Sequence, residues 1–321
     1  MHMRLIDGKV LNVLTGTKST QCCPICGVTP TKVLEITDFS SETFTPKLGA
    51  LKFGVSPLHA WIRFLEFVLN ISYRIEIQKW HIKGDNKIKM STRKKYIQEK
   101  ILKDMGLRIS MPKQNGNGNS NDGNTARRAF ANTKLLSTIT NFSEALLNNF
   151  YIILIAISCN YYINSEKFRS FWESTFCLYM QTYPWYPMSP TIHKVLVHGF
   201  QINNSTLVPL GCLGENASEE RNKMYKKDRL SHARKNSRVN TMTDIFYRAI
   251  DSSDPLLSSV CLKERERKNK KKPLSKEVLS LLELSSTESK DSCEYENDSQ
   301  SDSDSDYNIY YIELEEEDEV I

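Results

Sequence analysis

No apolar run in this sequence is long enough to cross a membrane cleanly. The longest, Phe150 to Cys159, has about ten residues, whereas a spanning helix needs roughly 20. The uncharged stretch 145–164 around it is interrupted by Asn148, Asn149 and Asn160, so it reads as a buried core helix. The first seven residues lack the apolar centre of a secretory signal. Cysteine is sparse: eight in 321 residues, two of them adjacent at Cys22 and Cys23. That usage argues against a disulfide-built secreted module. Internal repeats are absent. Wholesale disorder is excluded, because 40% hydrophobic content can supply a sizeable core.

The C-terminal end lacks basic residues and the rest is short of acidic ones. The net charge of +5 hides this split. From Glu288 onward there are 14 acids and one Lys, net −13. The first 287 residues hold 42 basic and 24 acidic side chains, net +18. A body that basic is expected to meet a polyanion, most commonly nucleic acid. Lys/Arg-rich stretches at 222–238 and 263–272 read either as phosphate-binding faces or as a nuclear address.

Along the chain, residues 3–14 read as extended, and a turn-rich stretch follows to about residue 57. From Pro57 apolar residues recur at three- and four-residue spacing, which predicts a helix. Further helices are expected at 91–105 (ending at Gly106), 126–138, 143–158, 165–182, 190–200, 215–230, 241–250 and, weakly, 275–284. Asn115–Asn124 is a loop by composition. Tyr183-Pro-Trp-Tyr-Pro-Met-Ser-Pro190 is a proline-broken connector. From about residue 285 Ser, Asp and Glu dominate, which predicts disorder.

Four features carry chemistry. Cys23-Pro-Ile-Cys26-Gly is a Cys-x-x-Cys knuckle that suits tetrahedral zinc and supplies half a site. His193 and His198 offer a second pair at a spacing that zinc sites use. Free thiols with two helical histidines, or a redox pair, are the competing readings. Glu219, Asn222, Lys223 and Lys226 share a face of the helix expected at 215–230. That face suits Mg²⁺ beside a phosphodiester, or is a solvated surface laced with ion pairs. The amides of the Asn/Gly loop and Arg127–Arg128 suit a phosphate backbone, or belong to a flexible surface loop. Asp7, after a short apolar run, reads alone as a turn residue.

Taken in order, these segments resemble the C-terminal half of the Transib-type DDE transposases and the related V(D)J recombination-activating protein family. The resemblance runs from about Leu5 to about Leu257. It rests on Asp7-Gly-Lys, Cys23-x-x-Cys26, Leu58-His59, Asn121-Asp-Gly-Asn-Thr-Ala-Arg-Arg128, Tyr183-Pro-Trp-Tyr-Pro-Met-Ser-Pro, His193-x4-His198 and Glu219-x-x-Asn222-Lys223. It implies an RNase H-like recombinase in which three carboxylates hold two Mg²⁺ or Mn²⁺ ions for attack on DNA. By resemblance Asp7 falls on the second catalytic Asp and Glu219 on the catalytic Glu, with Glu215 and Glu220 as competing registers. A zinc-anchored helical insertion separates them, with Cys23, Cys26, His193 and His198 as ligands. Asn121, Asn124, Arg127, Arg128, Asn222, Lys223, Lys226 and Lys227 would face DNA.

The expected fold class is mainly α with a small α/β remnant. It comprises a truncated RNase H-like core (1–20), the zinc-anchored helical insertion (21–205) and a C-terminal helix region (206–257). A basic linker with a weak helix (258–287) and a disordered acidic tail (288–321) follow. The family's first catalytic Asp lies on an earlier strand, and Asp38 and Asp85 fall inside the insertion. The chain is therefore expected to bind DNA without cutting it, as a nuclear protein. The resemblance implies a homodimer, or a partner chain that supplies the missing N-terminal part. A non-enzymatic zinc-stabilised interaction module that works through its acidic tail remains the alternative.

Overall fold

Side-chain caps and apolar stripes divide this chain into short helices. The computed structural model describes residues 8–35, 44–112, 119–214, 216–268, 271–283 and 309–311. It is mainly α-helical, and among the described residues the only strands are two of three residues each. Two compact units emerge. The first is Met1–Leu213 with Ser275–Leu284, and the second is Gly214–Leu274 with Ser285–Ile321.

The first unit is organised around α3 (Pro57–Ser72). Its start follows from Ser56, whose Oγ accepts from the His59 N–H, and from Pro57 in the first turn. Apolar residues occupy most of its circumference, and Trp61, Phe64, Leu65, Val68 and Ile71 are fully buried. A helix apolar on nearly all sides needs neighbours on several sides. It packs on α5 (Gly123–Phe130), α7 (Glu144–Ala156) and α9 (Pro190–Asn204). Phe64 meets Phe150 of α7 edge-to-face at 5.0 Å, and Trp61 Nε1 donates to Ser158 Oγ at 2.9 Å. The apolar run at 150–159 is therefore core, and no described helix is long and apolar enough to cross a membrane.

The remaining elements close round this centre. α4 (Asn86–Met105) ends at Gly106 in the left-handed conformation, φ +66°. The helix expected at 126–138 is two, α5 and α6 (Thr133–Thr140), because the Asn132 side chain caps a new start at Leu135 N–H. α8 (Ser165–Thr182) lies against α9, where Gly199 leaves room for the Trp172 ring. The connector 183–190 is buried at Tyr183, Tyr186 and Met188, and the Tyr179 hydroxyl donates to the Tyr186 carbonyl. α13 (Lys276–Ser280) returns to this unit and packs on α7.

Two expectations are corrected. Residues 8–14, read as extended, form the helix α1 (Gly8–Leu14). Among its described side chains Leu11 is the buried one, while Val13 and Leu14 are exposed. The left-handed Gly16, φ +60°, stands just beyond its end. The segment taken as a basic linker from 258 is helical through Lys268 as α12 (Pro255–Lys268). It follows α10 (Asn216–Ser231) and α11 (Arg238–Asp251) in the second unit. Of the acidic tail, only the backbone at Ile309–Tyr311 (β2) is described, paired in parallel with Lys271–Pro273 (β1). The rest of the expected disorder lies outside the described residues, as do residues 1–7.

A Cβ at position 199 would stand 2.1 Å from the Trp172 ring. Gly199→Ala is therefore expected to destabilise the chain by about 1–3 kcal/mol through overpacking. Helix propensity alone argues for a gain of roughly 0.5–1 kcal/mol, so the sign decides. A chemical-denaturation midpoint that rises or stays put would refute the packing assignment.

Candidate metal centre and nucleic-acid faces

The knuckle is built by backbone hydrogen bonds. Gly27 N–H donates to the Cys23 carbonyl at 2.8 Å, and Cys23 N–H to the Val28 carbonyl at 3.0 Å. Gly27 takes φ +80°, where glycine carries no Cβ penalty. Ile25 beneath it is buried, and its carbonyl accepts from Lys47 N–H at 2.8 Å. Both thiols are thereby turned to one side of a fixed loop.

The second half of the site comes from α9. His193 and His198 are both buried, and their rings meet edge-to-face at 5.3 Å between centroids. The sulfurs of Cys23 and Cys26 and one ring nitrogen of each histidine all lie within 4.8 Å of one another. Cys26 Sγ stands 3.4 Å from His193 Nε2. With Zn–S near 2.3 Å and Zn–N near 2.0–2.1 Å, the edges of a tetrahedral site are roughly 3.5–3.8 Å. The four residues therefore fit one ion after a small contraction.

The hydrogen bonding of His198 supports this fit. Its Nδ1 donates to Gln201 Oε1 at 2.8 Å, which leaves Nε2 as the ligand atom. Among the described residues, that buried Nε2 has no hydrogen-bond partner. A buried imidazole nitrogen without a hydrogen-bond partner, facing two sulfurs, is a donor that a zinc ion would satisfy. Gln201 was not foreseen from the sequence, although it sits three residues along the same helix. Phe44 closes the other side, edge-on to the His193 ring at 4.6 Å.

The electrostatics agree. Burial alone would raise the Cys23 thiol. The Cys26 thiol and the two imidazoles outweigh it and hold Cys23 well below the ordinary thiol range. Cys26 is pushed up by the neighbouring Cys23 sulfur and by burial. Burial, with a further push from His198, lowers His193 to about 4 against the opposing pull of Cys23, so its ring is neutral near pH 7. Two thiolates, two neutral imidazoles and a divalent ion sum to zero charge, the form a buried site tolerates. Four protein ligands leave no open position, so such a site is structural rather than catalytic.

The other candidate residues are distributed differently. Asp7 and Glu215 lie outside the described residues. Glu219 and Glu220 are in α10, but their side chains are not described. Among the described residues, the Cys/His set is the one cluster able to hold a metal. Asn121 is buried, its Oδ1 accepting from Ser110 N–H at 2.7 Å. Asp122 caps α5 through Thr125 N–H, and a Cβ on Gly123 would stand 2.5 Å from Leu58 Cδ1. Leu58-His59 and the Asn121–Arg128 motif therefore meet in the fold. Arg127 lies over the Trp61 ring at 5.6 Å, Asn124 is half-buried, and Arg128 is exposed. On α10, Asn222, Lys223, Lys226 and Lys227 are all exposed.

Purified chain is expected to carry one zinc, and Cys23→Ser and His198→Ala each to lose it, as read by elemental analysis. Gln201→Leu should keep the ion but weaken affinity about 10–100-fold in chelator competition. In the metal-free chain, His193 has a folded pKa near 4 against an ordinary 6.5. Its stabilising contribution is complete above pH 6.5 and is lost as the pH falls through 4. Undiminished zinc in both ligand variants would refute the site. No family model and no curated protein sequence matches this chain, so the metal assignment stands on its geometry.

Proposed function

We propose that this chain is a transposase-derived DNA-binding protein, similar in motif order to the C-terminal half of a DDE transposase, with structural zinc. The observation that carries the reading is the meeting of Cys23 and Cys26 with His193 and His198, Cys26 and His193 being 167 positions apart in the chain. Those are the pairs that the resemblance assigns to one zinc-anchored insertion. The meeting of Leu58 with Gly123 in the same body adds a second link between separated motif elements. Exposed Arg128, Lys226 and Lys227 supply phosphate contacts.

DNA cleavage by the resembled chemistry needs three carboxylates and two divalent ions. In this 321-residue polypeptide, Asp7 and Glu219 match two of the three. Binding to a DNA duplex should fall steeply between 50 and 200 mM salt through counterion release. Filter binding at the two salt concentrations tests this, and absent or salt-independent binding would sink the reading.

The pairing of Ile309–Tyr311 with Lys271–Pro273 favours a second role, for the tail. It joins the acidic segment to the strongly basic stretch 263–272. The tail then competes with DNA for the body's positive charge. Deleting residues 288–321 is expected to tighten DNA binding. Unchanged DNA affinity together with loss of a protein partner would instead support an interaction module.

A further inference from the structure

We propose that the tip between α3 and α4, with the outward face of α4, binds single-stranded or locally unpaired nucleic acid. The inference rests on the DNA-binding reading above and gives it a location and a substrate form. It comes from a part of the first unit that the motif comparison did not single out for DNA contact.

At the tip, Trp80 is only half-buried and His81 is exposed, and their rings lie 4.3 Å apart at 39°. Lys79 and Lys83 flank this pair, and Lys87 and Lys89 follow in the first turn of α4, all four exposed. Among the described residues, none of these four lysines is in an ion pair. Of the nearby acids, Glu76 is held by Arg93 at 2.6 Å, and Asp85 stands exposed at the start of α4, one acid among these four lysines. The tip is thus an aromatic platform ringed by cations.

The helix continues the surface. α4 buries only Ile97 and Ile101. At 100° per residue, the side opposite that seam carries Ile88, Thr92, Lys95, Tyr96, Glu99 and Lys103. Tyr96 is 52% exposed and Ile88 is 69% exposed. A helix this poor in buried residues, with aromatic and cationic groups outward, is unusually exposed for an element packed on a core.

Lysines alone would suit any polyanion. An accessible indole beside an imidazole adds a face on which a base can stack, which requires the base to be out of a duplex. Lysines at the rim then neutralise the flanking phosphates. The exposed apolar groups of α4 are single and scattered among charges, a poor match to the continuous apolar stripe of a membrane-surface helix.

The test uses the full zinc-loaded chain and fluorescence anisotropy with three probes. These are a 20-nucleotide oligo-dT, a 20-base-pair duplex, and that duplex with a two-nucleotide mismatch bubble. Trp80→Ala should weaken oligo-dT and bubble binding about tenfold and leave intact-duplex binding within about twofold. Trp80→Phe should recover most of the loss. Lys79→Glu with Lys83→Glu should weaken all three probes and reduce the salt slope. Zinc content and circular dichroism show that each variant is folded. Equal binding by wild type and variants to every probe would overturn this inference while leaving the DNA-binding reading intact. No binding by wild type to any probe would remove both. Trp80-dependent binding to phosphatidylserine vesicles without Trp80-dependent DNA binding would assign the tip to a lipid surface instead.

Discussion

The constraint on which the first unit depends is the meeting of a rigid turn near the N-terminus with one face of α9. Cys26 and His193 are 167 positions apart, and closing a loop of that length is entropically unfavourable. The closure is supported from both ends. The knuckle is fixed by its own backbone bonds and the left-handed Gly27. α9 is held by α3 and by α8, where Gly199 admits the Trp172 ring. A metal at the junction would stabilise it by ligating four groups whose burial is otherwise unfavourable. His198 Nε2 would remain without a partner, and two sulfurs would be forced close together.

α3 runs through the centre because its apolar residues cover nearly the whole circumference. Polar groups within it are satisfied locally, as where Ser72 Oγ donates to the Val68 carbonyl. α7 is hydrophobic enough to suggest a membrane span by composition, yet it is only 13 residues long and is covered on several sides. What decides between core and bilayer is length and neighbours rather than hydropathy.

Much of this was legible in the sequence. The periodicity from Pro57, the Gly106 stop and the proline connector each act through local rules and appear as expected. The Cys and His residues of the candidate metal centre were legible as residue types at useful spacings, though only the fold brings them together. What escaped was set by context. Val10, Leu11 and Val13 favour a strand by composition, but α1 places Leu11 against the body. The break at Asn132 depends on one side-chain oxygen finding Leu135 N–H. Gln201 as the partner of His198 has no sequence signature beyond its i+3 position. Asn121, read as a DNA contact, is placed by the fold inside its loop on Ser110, where periodicity has nothing to say.

The same distinction applies to charge. Several arginines of the basic body are engaged in fastening the protein to itself. Arg93 joins Glu76, the Ser72 carbonyl and the Thr140 carbonyl. Arg221 holds the end of α11 through Ala249, Ser252 and Ser253. Arg234 grips both oxygens of Asp244, drawing that carboxyl down to about 2, and Arg248 pairs with Asp228. A planar fork with five donors suits such multidentate fastening, whereas an ammonium on a flexible stem does not. The lysines of the α3–α4 tip, the outer face of α4 and α10 remain turned outward. Lysine is a compact point charge on a flexible stem, so such a face would neutralise phosphates with little geometric demand. For the nucleic acid proposed as its partner, selectivity would then come largely from shape and pairing state, the property an exposed aromatic pair can sense.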